Sequence, residues 1–250
     1  MLSERENDQE ITRDSMLRGQ VTLLQPRRGF RSSLDPVILA GFVSAPYGHV
    51  LDIGCGTGAI AFLLLARDPA ATGVGVEIQP RLAALLERAV IENGHQQRFR
   101  VEHADIRTAA LAPASFDLVV SNPPYLPLGL GALPPDEERA IAHHEVKLGL
   151  CDWIDRAATF CRPDGRVAVV FPATRAGELL GALQARGLPA ARLRPVYPRP
   201  GQPATRILVE ARRLAAARPL VVEPALMVHE GDGYSEEVRR FLGEIDDVVP

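Results

Sequence analysis

Asn122-Pro123-Pro124-Tyr125 follows directly on the apolar run Phe116-Asp117-Leu118-Val119-Val120. Two prolines in series cannot continue a central strand, so the run must stop there in a rigid turn. Asn122 and Tyr125 are thereby expected at a strand's C-terminal edge, where open α/β sheets keep their sites. The Asn122 side-chain oxygen, the Pro123 backbone carbonyl and an aromatic face suit one task. They can hold a planar amino group whose nitrogen must become a nucleophile. By itself the tetrapeptide also fits a plain proline turn that closes a strand.

A second constellation lies upstream. Val50-Leu51-Asp52-Ile53 runs into Gly54-Cys55-Gly56-Thr57-Gly58, and the apolar stretch Ala59 to Ala66 follows. Strand, glycine loop and helix in this order bring a backbone close to a nucleotide-type ligand. Glu77 ends the next apolar strand, Thr72-Gly73-Val74-Gly75-Val76, where a carboxylate can accept from ribose hydroxyls. Gly54, Gly56 and Ala59 also satisfy a dinucleotide fingerprint, so the loop specifies a nucleoside cofactor without choosing between NAD and S-adenosylmethionine.

The motifs together are more specific. Asp52 precedes the glycines, Glu77 ends the second strand, Ala104-Asp105 the third and Asn-Pro-Pro-Tyr the fourth. In this order the chain resembles the class I S-adenosylmethionine-dependent methyltransferases over residues 48 to 172. Within them it resembles the amino-methyltransferases, whose motif is Asp/Asn/Ser-Pro-Pro-Tyr/Phe/Trp. The resemblance implies a Rossmann-like α/β fold: a mostly parallel central sheet with an antiparallel C-terminal edge and helices on both faces. It also implies S-adenosyl-L-methionine as cofactor, with Asp52 near its methionine end and Gly54, Cys55, Gly56 and Gly58 along its path. Glu77 and Ile78 would lie at the ribose, Asp105 at the adenine amino group and Ile106 against the ring. Asn122, Pro123, Pro124 and Tyr125 would form the catalytic motif, with Asn122 also beside the cofactor.

A narrower resemblance lies in the flanks. Gln25-Pro26-Arg27-Arg28-Gly29-Phe30-Arg31-Ser32-Ser33-Leu34-Asp35, His143-His144-Glu145 and Val228-His229-Glu230-Gly231 with Tyr234-Ser235 look similar to bacterial tRNA1(Val) adenine-N6 methyltransferases. That family modifies the adenosine 3′ of the anticodon. The likeness implies tRNA as partner and Phe30, Arg27, Arg28, Arg31 and His144 as candidate substrate contacts. The Leu126 to Pro135 insert, rich in proline and glycine, departs from the pattern where substrate would pass. A protein glutamine N5-methyltransferase, or an enzyme acting on another RNA, is the alternative. Relatives of the glutamine enzymes carry a larger helical domain in front, whereas fewer than 50 residues precede the first strand here. A non-catalytic RNA-binding module is more distant, because every motif residue is intact.

A chain of 250 residues suffices for one sizeable core with additions. Hydrophobic content of 46% and charged content of 24% are those of a globular protein. No apolar run approaches the ~20 residues of a membrane span, and the first twenty residues do not form a signal peptide, which makes cytoplasm the expectation. Three cysteines, Cys55, Cys151 and Cys161, form no close pair and argue against a disulfide framework or a zinc site; Cys55 reads as the small side chain that fits the glycine loop, and Cys151 and Cys161 as buried small apolar residues of a helix. The net charge is −3, yet Lys147 is the single lysine and 27 of 28 basic side chains are arginine. They gather at the front (Arg13, Arg18, Arg27, Arg28, Arg31) and late in the chain (Arg186 to Arg218), as bidentate phosphate contacts or as solvated faces.

The positioning elements follow from periodicity. Residues 1–45 read as an N-terminal extension: a polar tail to residue 18, a hairpin of Val21 to Leu24 with Phe30-Arg31-Ser32, and a short helix. Asp35 is its expected N-cap, with Pro36 at the first helical position. Residues 46–250 read as the methyltransferase domain. Strands are expected near 49–53, 73–77, 98–103, 116–121 and 165–171, and helices near 58–67, 80–94, 145–161 and 174–187. Arg192 to Tyr197 and Thr205 to Arg213 would then add antiparallel strands, and Ser235 to Leu242 a closing helix. Nothing in the sequence sets the oligomeric state.

Overall fold

The computed structural model describes residues 11–28, 31–123, 148–213 and 219–245. An N-terminal hairpin pairs β1 (Ile11–Met16) with β2 (Val21–Pro26). Helix α1 (Asp35–Phe42) leads to the main sheet, whose alternating half comprises β3 (His49–Ile53), α2 (Ala59–Arg67), β4 (Thr72–Glu77), α3 (Pro80–Glu92), β5 (Phe99–His103) and β6 (Phe116–Ser121). The chain continues through α4 (Leu150–Phe160), β7 (Cys161–Pro172), α5 (Ala176–Ala185), β8 (Ala190–Tyr197) and β9 (Arg206–Arg212). Short strands β10 (Val221–Val222) and β11 (Leu226–Met227), a ribbon of β12 (His229–Glu230) and β13 (Gly233–Tyr234), and α6 (Glu236–Phe241) complete it.

The sheet order is β10-β8-β9-β7-β6-β3-β4-β5, with β11 also on β8. Strands β3 to β7 are parallel, and β9 enters antiparallel between β7 and β8. Chain order reverses between β3 and β6, so the crevice beyond their C-terminal ends is the topological switch point where such sheets bind ligands. The C-terminal edge carries Ile53, Glu77, Ser121, Pro172 and Tyr197 together with the start of β9 at Arg206.

Side-chain alternation divides the core. Val50, Leu118, Val120, Ala168 and Val170 face the layer of α1, α2 and α3. Leu51, Ile53, Val119, Val167 and Val169 face α4 and α5. Burial on both faces explains why these strands read as continuous apolar runs. Helix α3 starts at Pro80 and buries Leu82, Leu85, Leu86, Ala89 and Val90 along one stripe; it ends at Asn93 and at Gly94, whose φ is +68°. Helix α4 buries Leu150, Trp153, Ile154, Ala157 and Phe160 by the same spacing.

Three sequence expectations need correction. The tail to residue 18 holds a strand: Ile11–Met16 pairs with β2 through a tight turn at Leu17–Gly19, in place of Phe30 to Ser32. Arg31 instead donates its side chain to Asp14 at 2.7 Å and Thr12 at 2.8 Å. Asp35 is the first helical residue rather than the cap, and its carboxylate pairs with Arg206 at 3.1 Å. Cys151 is exposed on α4, and Cys161, though buried, opens β7 instead of lying in the helix.

Candidate active site

The glycine loop is held from below by β4. Gly54 and Cys55 both donate their backbone N–H to the Val76 carbonyl, at 2.9 and 3.2 Å. Gly56 donates to Glu77 Oε2 at 2.8 Å, and Gln79 N–H donates to Oε1 at 2.9 Å. Glu77 therefore locks the loop to the strand end while each oxygen keeps a lone pair for a hydroxyl. It is 4% exposed, and burial raises its carboxyl above the usual range despite those amides.

The three loop glycines serve different ends. Gly54, Gly56 and Gly58 all have positive φ, at 71°, 54° and 85°. A Cβ on Gly54 would enter open space, which marks a surface a ligand can approach. A Cβ on Gly58 would lie 2.4 Å from Leu86 Cδ1 and 3.3 Å from Phe62. Gly58 thus permits the packing of α2 on α3, a role distinct from the ligand approach the sequence reading gave it. Cys55 points into the core against Gly75, whose missing Cβ makes room for its sulfur, so only its backbone belongs to the loop.

Asp52 sits beneath the loop at 1% exposure, and neither carboxyl oxygen has a hydrogen-bond partner in proper geometry among the described residues. Burial pushes its carboxyl up to about 8, with the Ala61 amide pulling it down and Glu77 adding to the rise. Thr57 Oγ1 and Asn122 Oδ1 are likewise buried without a partner among the described residues. Orphaned polar atoms of this kind call for a ligand or water. Beside them, Ile53, Gly54, Val76, Ile78, Ala104 and Ile106 line a crevice with Asp105 at its rim. Asp105 accepts from Arg107 N–H at 2.9 Å and from its guanidinium, so this carboxylate also builds its own turn. An apolar slot, a row of unmatched polar atoms and a glycine-bared backbone fit the adenine, ribose and amino-acid ends of S-adenosylmethionine.

At the fourth strand, Ser121 Oγ donates to the Ile53 carbonyl at 2.7 Å. This bond ties the end of β6 to the end of β3 and sets Asn122 next to the glycine loop. Pro123 is buried. Pro124, Tyr125, Phe30, His144 and the 126–139 loop lie outside the described residues.

The arginines divide sharply. Arg192 and Arg212 converge on buried Glu210 at 3.3 and 3.4 Å, Arg194 holds Glu237 at 2.6 Å, and Arg186 pairs with Asp155. Arg213 donates to the Ala158 and Cys161 carbonyls. The late cluster is thus largely bound within the fold rather than offered to phosphate. Arg27 and Arg28 are exposed and make no ion pair or hydrogen bond among the described residues. Among the described residues no His/Cys/Asp/Glu group could hold a metal, and no helix is long and apolar enough to cross a membrane.

Sheet order, switch-point loop and Asn-Pro motif define a class I S-adenosylmethionine-dependent methyltransferase. The methyltransferase small domain family matches residues 36–128. A tRNA1(Val) (adenine(37)-N6)-methyltransferase of Porphyromonas gingivalis is 35% identical, covering 82% of this chain and 83% of its own. One from Vibrio cholerae is 30% identical over 83% and 85% of the two chains. A crystal structure from Agrobacterium tumefaciens, described as a predicted O-methyltransferase, superposes with a TM-score of 0.65 at 23% identity, covering 83% of this chain and 94% of that one; it shares the fold. The chain belongs to the tRNA1(Val) (adenine(37)-N6)-methyltransferase family.

Proposed function

We propose that this protein methylates the exocyclic N6 amine of an adenine in tRNA, the anticodon-loop adenosine 37 that its relatives' names specify. The observation that carries the reading is Asn122 Oδ1, buried and without a hydrogen-bond partner among the described residues at the end of β6, beside the loop that fits the cofactor.

Bound along Gly54, Glu77, Ile78 and Ile106, S-adenosyl-L-methionine supplies an electrophilic methyl group. The protein's task is alignment. The lone pair of an adenine amine is delocalised into the ring, so the nitrogen must pyramidalise to attack. Asn122 Oδ1 and the Pro123 carbonyl accept from its two N–H groups and favour that geometry, most strongly as positive charge develops on nitrogen. The N–H proton then leaves by way of these acceptors to solvent. Tyr125 stacks on the base and keeps it in plane with them. A base in an anticodon loop is already unpaired, which lowers the cost of placing it in the pocket. The cytoplasm, where tRNA is modified, is the matching compartment.

Transfer of labelled methyl to unmodified bulk tRNA, followed by nucleoside analysis, tests the assignment. N6-methyladenosine is the expected product. Label found in a release factor and absent from tRNA would replace adenine by a glutamine carboxamide as acceptor.

A further inference from the structure

The N-terminal hairpin and the C-terminal ribbon are remote in sequence, yet they enclose a cavity of about 380 Å³ lined by Asp14, Gln25, Ser32, Ser33, Leu34 and Tyr234 among others. That volume is typical of ligand sites, about 300–1,000 Å³. Its place follows from topology. Strand β11 runs parallel to the end of β8, and β12 follows it directly, so the ribbon projects beyond the same sheet edge as Asn122. Four strand spacings separate β11 from β6, roughly 19 Å. A few nucleotides of unstacked single strand cover that span.

Tyr234 forms one wall. It is 41% exposed, and its other side rests on His229 with ring centroids 5.1 Å apart and planes 30° apart. His229 is fixed in turn by Nδ1–H, which donates to the Pro198 carbonyl at 3.1 Å. Ser235 caps α6 through Val238 N–H and donates its own N–H to the Val228 carbonyl. The ring is therefore presented rigidly, an arrangement that lowers the cost of stacking. The rest of the lining is an apolar floor of Met16, Leu23, Val37 and Leu242 with a polar edge: Asp14 Oδ2 accepts from Gln25 at 2.5 Å and from Arg31 at 2.7 Å, and Gln25 Oε1 accepts Ser32 N–H at 2.6 Å. Arg27 and Arg28 stand exposed where β2 leaves the hairpin.

A presented aromatic face, an apolar floor with hydrogen-bonding groups at its edge, and exposed arginines where the hairpin strand ends are the components of single-strand nucleic-acid recognition. We propose that this cavity receives a nucleotide flanking the target adenine, its base stacked on Tyr234 and its phosphates met by Arg27 and Arg28. The proposal rests on the reading of the protein as a tRNA methyltransferase, and Tyr234 acts in positioning the substrate rather than in the chemistry.

Steady-state methylation of tRNA by the wild type, Tyr234→Ala and Tyr234→Phe decides it. Tyr234→Ala should raise KM for tRNA roughly 5- to 150-fold, as expected for loss of one base–aromatic stack, with S-adenosylmethionine affinity unchanged and Tyr234→Phe near wild type. In an anticodon stem-loop carrying an abasic residue at each of the three positions on either side of the target, one substitution should cost the wild type the same factor and cost Tyr234→Ala little more. Unchanged KM in Tyr234→Ala, or an equal penalty for both proteins at every abasic position, would overturn the subsite. If Tyr234→Ala loses cofactor affinity, the abasic series on wild type and Tyr234→Phe decides alone: no position sensitive in both overturns it. Absence of any methyl transfer to tRNA by the wild type would instead remove the functional reading beneath it.

Discussion

Glu77 Oε2 accepts the backbone N–H of Gly56 at 2.8 Å across 21 residues of sequence, so a carboxylate at the end of one strand fixes the glycine loop that follows its neighbour. Its second oxygen holds Gln79 at the start of α3. The acidic residue that ends the second strand is therefore a structural part of the glycine loop.

Glu77→Gln puts an NH2 group where one of two amide donors now finds an acceptor. The loss of one buried hydrogen bond should lower stability by about 1–3 kcal/mol. S-adenosylmethionine affinity should fall at least tenfold, because the loop loses its clamp. Thermal unfolding and calorimetric titration check the two effects; an affinity loss without destabilisation would separate the roles joined here.

The glycines predict opposite patterns. Gly58→Ala forces a left-handed alanine against Leu86, with a cost of about 2 kcal/mol or more. Gly54→Ala carries the backbone strain alone, about 1 kcal/mol, but places its methyl in the ligand's approach. Melting temperature should fall more in the first variant, and cofactor affinity more in the second.

Asp52 sets a pH dependence. Its folded carboxyl titrates near 8, whereas an unfolded aspartate titrates near 3.9. Between those values the folded protein holds a proton that the unfolded chain has released, so stability declines as pH rises from about 4 to about 8. The raised carboxyl of Glu77 acts in the same direction. Asp52→Asn should flatten the decline, with melting temperature above wild type at pH 9 and close to it at pH 5. A wild-type melting temperature that climbs across this range would contradict the sign.

Asn122→Ala should reduce turnover by at least a hundredfold and leave cofactor affinity within about threefold, since the side-chain oxygen is assigned to the developing charge on the substrate amine. Parallel loss of both would move Asn122 from chemistry to cofactor binding.

Arg27 and Arg28 offer a salt test. Replacing both by alanine should cut the slope of log affinity against log salt by about 1.4, at roughly 0.7 per phosphate contact on a single strand. The deficit should be largest at low salt. An unchanged slope would make them ordinary surface residues.

The sequence by itself determined the order of elements and the strand ends that carry Asp52, Glu77, Asp105 and Asn122. Those features are local: continuous apolar runs buried on both faces, glycines at a strand-to-helix turn and a proline pair that ends β6. Tertiary structure decided the rest. Ile11–Met16 is a strand because Asn93, at the end of α3, holds the Thr22 backbone through both N–H and C=O at 2.8 Å and so fixes β2 as its partner; no local pattern in a polar segment announces that. Gly58 is required by Leu86, Asp35 is set by Arg206, and the late arginines are consumed by Glu210, Glu223 and Glu237. Composition registers charge without its partner. Which arginines stay exposed, and that Tyr234 meets the N-terminal hairpin at one cavity, depend on contacts between residues up to 220 positions apart, Asp14 to Tyr234. The energies that fix them lie in packing and ion pairing between elements, and only the assembled sheet brings those elements together.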